Sequence, residues 1–320
     1  MFDLAIIIVS YKTRELLDRC LASIFNSEYP FSYRVTVVDN ASDDGSPEMV
    51  VNKYPDALLI RNNANTGYSV ANNQGIRKSD SRYILLLNPD TEVNPEALTA
   101  MVRFLDTHAH VGVVGCQLLN TDGSLQTSWF NFPVPLSRYF EKASFYPRLS
   151  HKVLKIRDRF PLVDEGGAKR VDIIKGACLM IRRTAANQVG LLDENSFLYA
   201  DDIDWCIRTR RKCWETYALT DHKIIHHGYA STEQEPYITI TSSRRSALYL
   251  YRKHYPMSFV AAWSLFIYIE ILYKTLLYGT RVRSGRRDEK TLSRHKAYRE
   301  LSRDIFKKRK SPAKRNNGNR

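Results

Sequence analysis

Strand-like and helix-like stretches alternate through the first third of the chain, and this alternation limits the fold more than any other feature. LAIIIVS is a continuous apolar run, followed by TRELLDRCLASIF with Leu16, Leu17, Cys20, Leu21 and Ile24 at helical spacing. YRVTVVDN then reads as a strand, SPEMVVNKY as a helix opened by Ser46 and Pro47, and ALLIRN as a strand. YSVANNQGIRKS reads as a helix and YILLLN as a strand. NPEALTAMVRFLDTH is a helix with Asn94 as N-cap and Pro95 at its first position. Such alternation implies an α/β fold with a mostly parallel, doubly wound sheet. Ligands bind such sheets at the carboxyl ends of the strands, in the crevice where strand order reverses. Ser10, Asp39 and Asp90 each end a strand in this reading and so share one rim. Asn88-Pro89-Asp90 is also an ordinary strand-terminating turn, and both readings stand at this point.

No glycine-rich phosphate loop accompanies this pattern. The turn after the first strand reads VSYKTRE, with neither GxGxxG nor GK[ST], which argues against a dinucleotide dehydrogenase and a P-loop enzyme. A nucleotide would have to be held by side chains and a metal. The net charge of +14 is concentrated at one end. Residues 281–320 hold 16 Lys/Arg against 4 Asp/Glu, or +12, which leaves +2 for residues 1–280. The basic stretch lacks interleaved aromatic residues for base stacking, so no nucleic-acid partner is expected. Met1 to Ser10 run straight into a strand without a basic leader, and the five cysteines form no CxxC pair. Both features point to the cytoplasm.

From about Asn120 to Arg170 the pattern loosens into an aromatic and proline-rich stretch, either an irregular surface segment or a mobile wall contacting a large acceptor. VDIIKGACLMIRR then reads as a strand pair broken at Gly176-Ala177. In GLLDENSFLYADDIDWCIRTRRK a helix is expected to start near Asp201 or Asp202. ETYALTDHKIIHHGYAS ends a strand at two histidines, and residues 243–254 read as a helix.

Two places carry chemistry. Asp201, Asp202 and Asp204 crowd one helix start beside Phe197, Leu198 and Trp205. The acids suit the helix dipole, and Asp204 with Arg208 is an i,i+4 pair. Crowded carboxylates beside apolar groups also suit a site that needs a base or a cation. His226 and His227, beside a glycine and in a chain with a strand-end Asp90, are metal-ligand candidates. Oxygen ligands with one imidazole suit Mg2+ or Mn2+ better than zinc.

Seven stretches in order, IIIVSYKTRELLDRCLASI, VVDNASDDGS, NTGYSVANNQGI, LLLNPDTEV, KGACLMIRR, FLYADDIDWCIR and HHGYAS, strongly resemble family 2 glycosyltransferases of the GT-A fold. The likeness is to the bacterial rhamnosyltransferase-like branch and covers roughly residues 3–255. It implies an inverting, metal-dependent enzyme that uses a nucleotide-diphosphate sugar, such as a dTDP- or UDP-sugar. Carried over by position, it implies that Asp39 contacts the nucleobase and Ser10 lies near the nucleoside. Asn65, Gly67 and Asn88 would belong to the nucleotide-sugar pocket. Asp90 would be the metal-binding aspartate of the DxD element, with His226 as a further ligand to Mn2+ or Mg2+, and Asp202 the catalytic base. Asn88 stands where many relatives have Asp, so Asp90 supplies the element's only charge.

The expected organisation is a GT-A catalytic domain over 1–255, with a nucleotide-sugar half at 1–115 and an acceptor half at 116–255. An apolar, membrane-associating helix follows at 256–280, and then a basic, partly disordered tail at 281–320. SFVAAWSLFIYIEILYKTLLY is interrupted by Glu270 and Lys274. It reads as an interfacial helix on the inner leaflet, with a packed helix or a true span as rivals. With the basic tail it would hold a cytoplasmic, peripheral enzyme against an anionic membrane surface, near a lipid-linked or polysaccharide acceptor. The reaction expected is transfer of rhamnose or another hexose in bacterial cell-surface glycan synthesis. The rival is a non-catalytic nucleotide-sugar-binding or scaffolding protein of the same fold.

Overall fold

The computed structural model describes residues 1–133, 164–228, 236–285 and 288–306. The first half contains β1 (Phe2–Ser10), α1 (Arg14–Phe25), β2 (Tyr33–Asp39), α2 (Ser46–Lys53) and β3 (Leu58–Arg61). It continues with α3 (Tyr68–Lys78), β4 (Ser81–Leu87), a two-residue β5 (Thr91–Glu92) and α4 (Pro95–Thr107). This is the alternation read from the sequence, with only β5 added. Asn94 caps α4 as expected, its side chain accepting from the Glu96 amide.

The second half adds β6 (Val111–Leu119), β7 (Leu125–Gln126), β8 (Trp129–Phe130), β9 (Asp164–Glu165), β10 (Ala168–Arg170) and β11 (Ile173–Ile174). It continues through β12 (Cys178–Arg182), α5 (Arg183–Val189), α6 (Asp201–Arg211) and β13 (Glu215–His226). Three helices follow, α7 (Pro236–His254), α8 (Met257–Arg283) and α9 (Glu289–Phe306). Most of the aromatic stretch suggested as a wall over the site, residues 134–163, and the Tyr-Ala-Ser that follows Gly228 lie outside the described residues.

The main sheet runs β3-β2-β1-β4-β12-β6-β13-β10-β9. β1 pairs in parallel with β2 and β4, and β13 in parallel with β6, whereas β12 is antiparallel to both β4 and β6. The sheet is therefore mixed and mostly parallel. Its central strands are covered on both faces: Leu4, Ile6 and Ile8 pack into one apolar cluster and Ile7 into the other. That explains why β1 reads as an unbroken apolar run instead of an alternating one.

This topology assembles one rim. Ser10 pairs with Asp39 across β1 and β2, and strand order reverses between β1 and β4. β12 runs the other way, so the chain just before Cys178 arrives where β4 ends, with Cys178 opposite Leu87. The Asn88 amide donates to Ala177 O at 3.0 Å. β5 pairs His226 with Thr91, which carries the end of β13 to the same place.

Helices α7, α8 and α9 pack on one another. Tyr251 stacks on Trp263, Arg244 on α7 pairs with Glu270 on α8 at 2.5 Å, and Tyr278 stacks on Tyr298. One side of α8 (Val260, Ile267, Ile271, Tyr278) is buried in a core cluster, while Leu265, Phe266, Ile269, Tyr273 and Leu276 stay exposed. The basic stretch 281–320 thus contains a packed helix, α9, whose Glu300 and Asp304 pair with Arg245.

Candidate active site

A cavity of about 270 Å3 opens at the rim, lined among others by Asn65, Gly67, Asn88, Asp90 and Asp202. Five of the eight residues singled out from sequence therefore share one space. The other three, Ser10, Asp39 and His226, are buried beside it.

The candidate metal side is built by the ends of β4 and β13. Asp90 is 7 % exposed, and its Oδ1 lies 3.3 Å from His226 Nε2. Asn88 Nδ2 is 3.4 Å from the same nitrogen. On its other edge, His226 Nδ1 lies 2.5 Å from Gln126 Oε1. The Gln126 amide nitrogen donates to Asn120 Oδ1 at 2.8 Å and His226 O at 3.3 Å, so its oxygen must face the ring. Nδ1 then carries the proton and Nε2 presents a lone pair toward Asp90. Two ligands of a small divalent ion at right angles lie about 3 Å apart, which matches this pair. Among the described residues no group of three or more acidic, histidine or cysteine side chains could hold a metal. Among these residues Asp90 and His226 would be two ligands, and the donor's phosphate oxygens and water would supply the rest, as hard cations in nucleotide sites commonly require. These residues fit the ion the sequence implied. His227 does not join them; its Nε2 pairs with Glu92 at 2.7 Å.

The carboxylate side is the start of α6. Tyr199 and Ala200 both adopt left-handed backbone, with φ of 69° and 64°, immediately before Asp201. Two consecutive strained non-glycine residues persist only where the surroundings hold them. Here Ser196 Oγ donates to Tyr199 O at 2.6 Å, the Tyr68 amide donates to Phe197 O at 2.8 Å, and Ser246 Oγ donates to Leu198 O at 2.9 Å. The loop delivers Asp202 to the cavity, where its oxygens accept from the Gly176 amide at 3.1 Å and the Ile203 amide at 2.8 Å. Burial raises the Asp202 carboxyl above the usual carboxylate range despite these bonds. Asp201 is pushed up to about 8 by burial and by its neighbour Asp202.

Asp204 has a different task. It is buried and accepts from Arg208 Nε at 2.7 Å and His254 Nε2 at 2.6 Å, with Lys253 Nζ at 2.6 Å. Burial alone would raise its carboxyl, but the His254 hydrogen bond and the charges of Arg208 and Lys253 hold it well below the ordinary range. The i,i+4 pair read from the sequence is present as part of a clamp between α6 and α7.

On the nucleoside side, Asp39 Oδ2 accepts from the Ser42 amide at 3.0 Å. Its Oδ1 is buried with no hydrogen-bond partner among the described residues, an acceptor awaiting a donor. Ser10 Oγ and Thr13 Oγ1, 3.1 Å apart, fix the turn after β1. Asn65 Oδ1 accepts from the Gly67 amide at 3.0 Å. Gly67 has φ +86°, and a Cβ there would stand 2.5 Å from Phe197 O, so glycine is what allows α3 to dock on the Asp202 loop.

Four lining or supporting residues escaped the sequence reading. Asn40 Oδ1 accepts from Asn62 Nδ2 at 2.9 Å and Thr66 Oγ1 at 3.0 Å, holding the loop that carries Asn65. Tyr68 donates to Gly176 O at 3.1 Å, and burial with the nearby Asp201 and Asp202 charges pushes its hydroxyl well up. Lys175 lines the cavity and donates to Gln126 Oε1 at 2.9 Å. Lys175 had a signal, a lone cation between two apolar strands at the rim. Gln126, in SLQTSWF, had none.

A cavity at the switch point of a mixed sheet, lined by a strand-end aspartate and a half-buried helix-start aspartate, is that of a GT-A fold, and structural neighbours agree. A mannosyltransferase from Pyrobaculum calidifontis, solved with GDP-Man and Mn2+, aligns with a TM-score of 0.53 at 17 % identity, over 95 % of this chain and 84 % of that one. The sequence matches the family described as Glycosyl transferase family 2 over residues 5–189, more than half of the chain. The chain belongs to that family and is a glycosyltransferase. N-acetylglucosaminyl-diphospho-decaprenol L-rhamnosyltransferase of Mycobacterium tuberculosis is 27 % identical over 266 residues, 78 % of this chain and 85 % of the relative. The low-salt glycan biosynthesis hexosyltransferase Agl10 of Haloferax volcanii is 30 % identical over 215 residues, 66 % of this chain and 62 % of the relative.

Proposed function

We propose that the protein transfers a hexose, rhamnose or a relative of it, with inversion from a nucleoside diphosphate donor to a hydroxyl of a lipid-linked or polysaccharide acceptor. The observation that carries this reading is that Asp90 and Asp202, ends of different elements, line one cavity at the sheet's switch point. Asp202 accepts the acceptor's proton as its oxygen attacks the anomeric carbon. A base with a raised carboxyl value is better matched to a hydroxyl than an ordinary aspartate is. Asp90 and His226 would hold Mn2+ or Mg2+, which supplies charge stabilisation to the departing diphosphate. Asp39 Oδ1 suits a ring N–H such as that of uracil, thymine or guanine, which is consistent with a UDP or dTDP donor and argues against adenine or cytosine. The rhamnosyltransferase relative, whose name describes a diphospho-decaprenol acceptor, supports a lipid-linked substrate.

The enzyme then works on the cytoplasmic face of the membrane, lying on an anionic surface through the exposed side of α8 and the basic chain end. The test is transfer and donor hydrolysis across a panel of nucleotide sugars, with Mn2+ and with EDTA. Turnover of one donor that EDTA removes supports the reading; no turnover of any donor with any metal refutes it.

A further inference from the structure

The cavity holds a cation that the proposed mechanism has not used. Lys175 sits between β11 and β12, its amide donating to Ser128 O at 2.9 Å, and its side chain lines the same cavity as Asn88, Asp90 and Asp202. The ammonium makes one side-chain hydrogen bond, to Gln126 Oε1, and no ion pair among the described residues. An ammonium has three donors, so two are without a partner among the described residues, at a side chain that lines the cavity. A half-buried, unpaired ammonium is costly to keep unless an anion completes it. The surrounding charge agrees: burial lowers its proton affinity, while Asp90 and Asp202 lie near enough to raise it in part. Neither acid pairs with the ammonium: Asp90 Oδ1 lies beside His226 Nε2 as one half of the candidate metal pair, and Asp202 accepts from the amides of Gly176 and Ile203.

Charge bookkeeping then identifies the missing anion. With Asn88 neutral, the β4 end contributes only the charge of Asp90. A divalent ion there leaves a single net positive charge to meet a diphosphate that carries one negative charge on each phosphoryl group. Lys175 supplies the second positive charge against the diphosphate, leaving only the charge of Asp202, which the acceptor proton neutralises during transfer. We propose that Lys175 binds the donor's diphosphate directly and shares with the Asp90 metal the charge of the leaving group. This rests on the glycosyltransferase reading of the site. In the transfer step the bond from the sugar carbon to the β-phosphate oxygen breaks and a bond from that carbon to the acceptor oxygen forms. The acceptor proton passes to Asp202, and the electron pair of the broken bond stays on the β-phosphate, where the Lys175 ammonium faces it. A lysine contributes here as a point charge on phosphate, without the bidentate geometry of arginine.

The test uses the full chain with Mn2+ and measures binding of UDP, dTDP and GDP against UMP, dTMP and GMP by calorimetry. For the diphosphate that the native protein binds, Lys175→Gln is expected to weaken affinity about tenfold or more, and the matching monophosphate by less than about twofold. Lys175→Arg restores most of the diphosphate affinity, and kcat for transfer falls in Lys175→Gln more than KM rises. Mn2+ binding without nucleotide stays unchanged or tightens, because a neighbouring cation has gone. Equal loss for mono- and diphosphate, or undiminished diphosphate binding in Lys175→Gln, overturns the proposal. A native protein that binds no diphosphate at all refutes the underlying reading instead, so the two failures are distinguishable.

Discussion

Gln126 Oε1 accepts from both Lys175 Nζ, at 2.9 Å, and His226 Nδ1, at 2.5 Å, so one amide oxygen orients a cation and a metal-ligand candidate together. Removing that acceptor frees the imidazole to rotate or to exchange tautomers. Gln126→Leu should weaken Mn2+ binding about 10–100-fold, the usual cost of losing an outer-shell partner. Gln126→Glu keeps an acceptor at the same position and should retain most of the affinity. Calorimetry, or the electron paramagnetic resonance signal of free Mn2+, reads both variants. Equal Mn2+ affinity in Gln126→Leu and the native chain would remove His226 from the metal site.

Asp202→Asn should abolish transfer, a loss of at least about 100-fold in kcat, while donor binding stays within about threefold of native. The pH dependence has a definite sign. Burial raises the Asp202 carboxyl, so the ionised base appears only at a pH above the ordinary carboxylate range, and kcat should rise with pH on that limb. The folded state also binds more protons here than the unfolded chain, so Asp201 and Asp202 lower stability as pH rises above their ordinary value of 3.8. The inactive Asp202→Asn protein should therefore melt at or above the native temperature at pH 7–8. A lower melting temperature, or near-native turnover, would contradict the assignment.

The sheet and its rim were legible because both follow from local pattern. β1, β2 and β4 are apolar runs that announce burial, and their last residues must share an edge once the strands are parallel. Asp90 and His226 were legible as a carboxylate and an imidazole at the ends of such runs, and Asp202 as one of three acids crowded at a helix start. What the sequence could not carry is anything set by side-chain reach between distant segments. Gln126 acts through His226, 100 residues away, and nothing local in a polar, two-residue strand marks that. Spacing alone marked Asp204 only as the i,i+4 partner of Arg208, and it was the family resemblance that pointed to Asp202 as the base. The two aspartates lie on different faces of one helix turn, and only the arrival of His254 and Lys253 from α7 makes one a clamp and leaves the other in the cavity. The pairing of His227 with Glu92 likewise depends on β5, too short to read as a strand.

Gly67→Ala joins two penalties. The backbone there (φ 86°, ψ 169°) is in a region reserved for glycine, and the new Cβ would meet Phe197 O at 2.5 Å. A loss of about 3 kcal/mol or more follows, read by urea unfolding. Because Phe197 belongs to the loop that presents Asp202, kcat/KM should fall even where the variant is fully folded. A variant with native stability would mean that the α3 approach to this loop is looser than its geometry.

Asp204→Ala leaves Arg208, Lys253 and His254 without their shared carboxylate, at a cost of about 3–5 kcal/mol. Arg211 donates to His254 Nδ1 at 2.9 Å, so Nε2 carries the proton that bonds Asp204, and the ring is neutral. Burial lowers the His254 value, offset in part by Asp204. Stability tied to His254 is therefore lost as pH falls below its ordinary 6.5. Stability tied to Asp204, whose folded value is depressed, is present above 3.8 and is lost as pH falls further. Denaturation midpoints measured from pH 8 to pH 3 should show both limbs in the native chain, and Asp204→Ala should lose the lower one.

The exposed side of α8 sets the last prediction. Leu265, Ile269, Tyr273 and Leu276 are 61 %, 57 %, 59 % and 70 % exposed and recur at helical spacing. α8 is also the one helix among the described residues long and apolar enough to cross a bilayer. Its other side is tied to the catalytic body by the burial of Ile267 and Ile271 and by the Glu270–Arg244 ion pair. A helix held this way can lie along a membrane surface without leaving its packing, whereas spanning would strip both the core contacts and the ion pair. Residues 307–320 add seven Lys/Arg and no Asp/Glu, each basic residue contributing about 1 kcal/mol near an anionic leaflet. The full chain should sediment with phosphatidylglycerol-rich vesicles at low salt and be released in part at high salt. Leu265→Ser/Ile269→Ser/Leu276→Ser should abolish the salt-resistant fraction, and a chain ending at Phe306 should lose the salt-sensitive one. Alkaline carbonate should extract the native protein. Retention after carbonate would mean that α8 spans the bilayer, and a full chain that stays in the low-salt supernatant would mean that its apolar side faces something other than lipid.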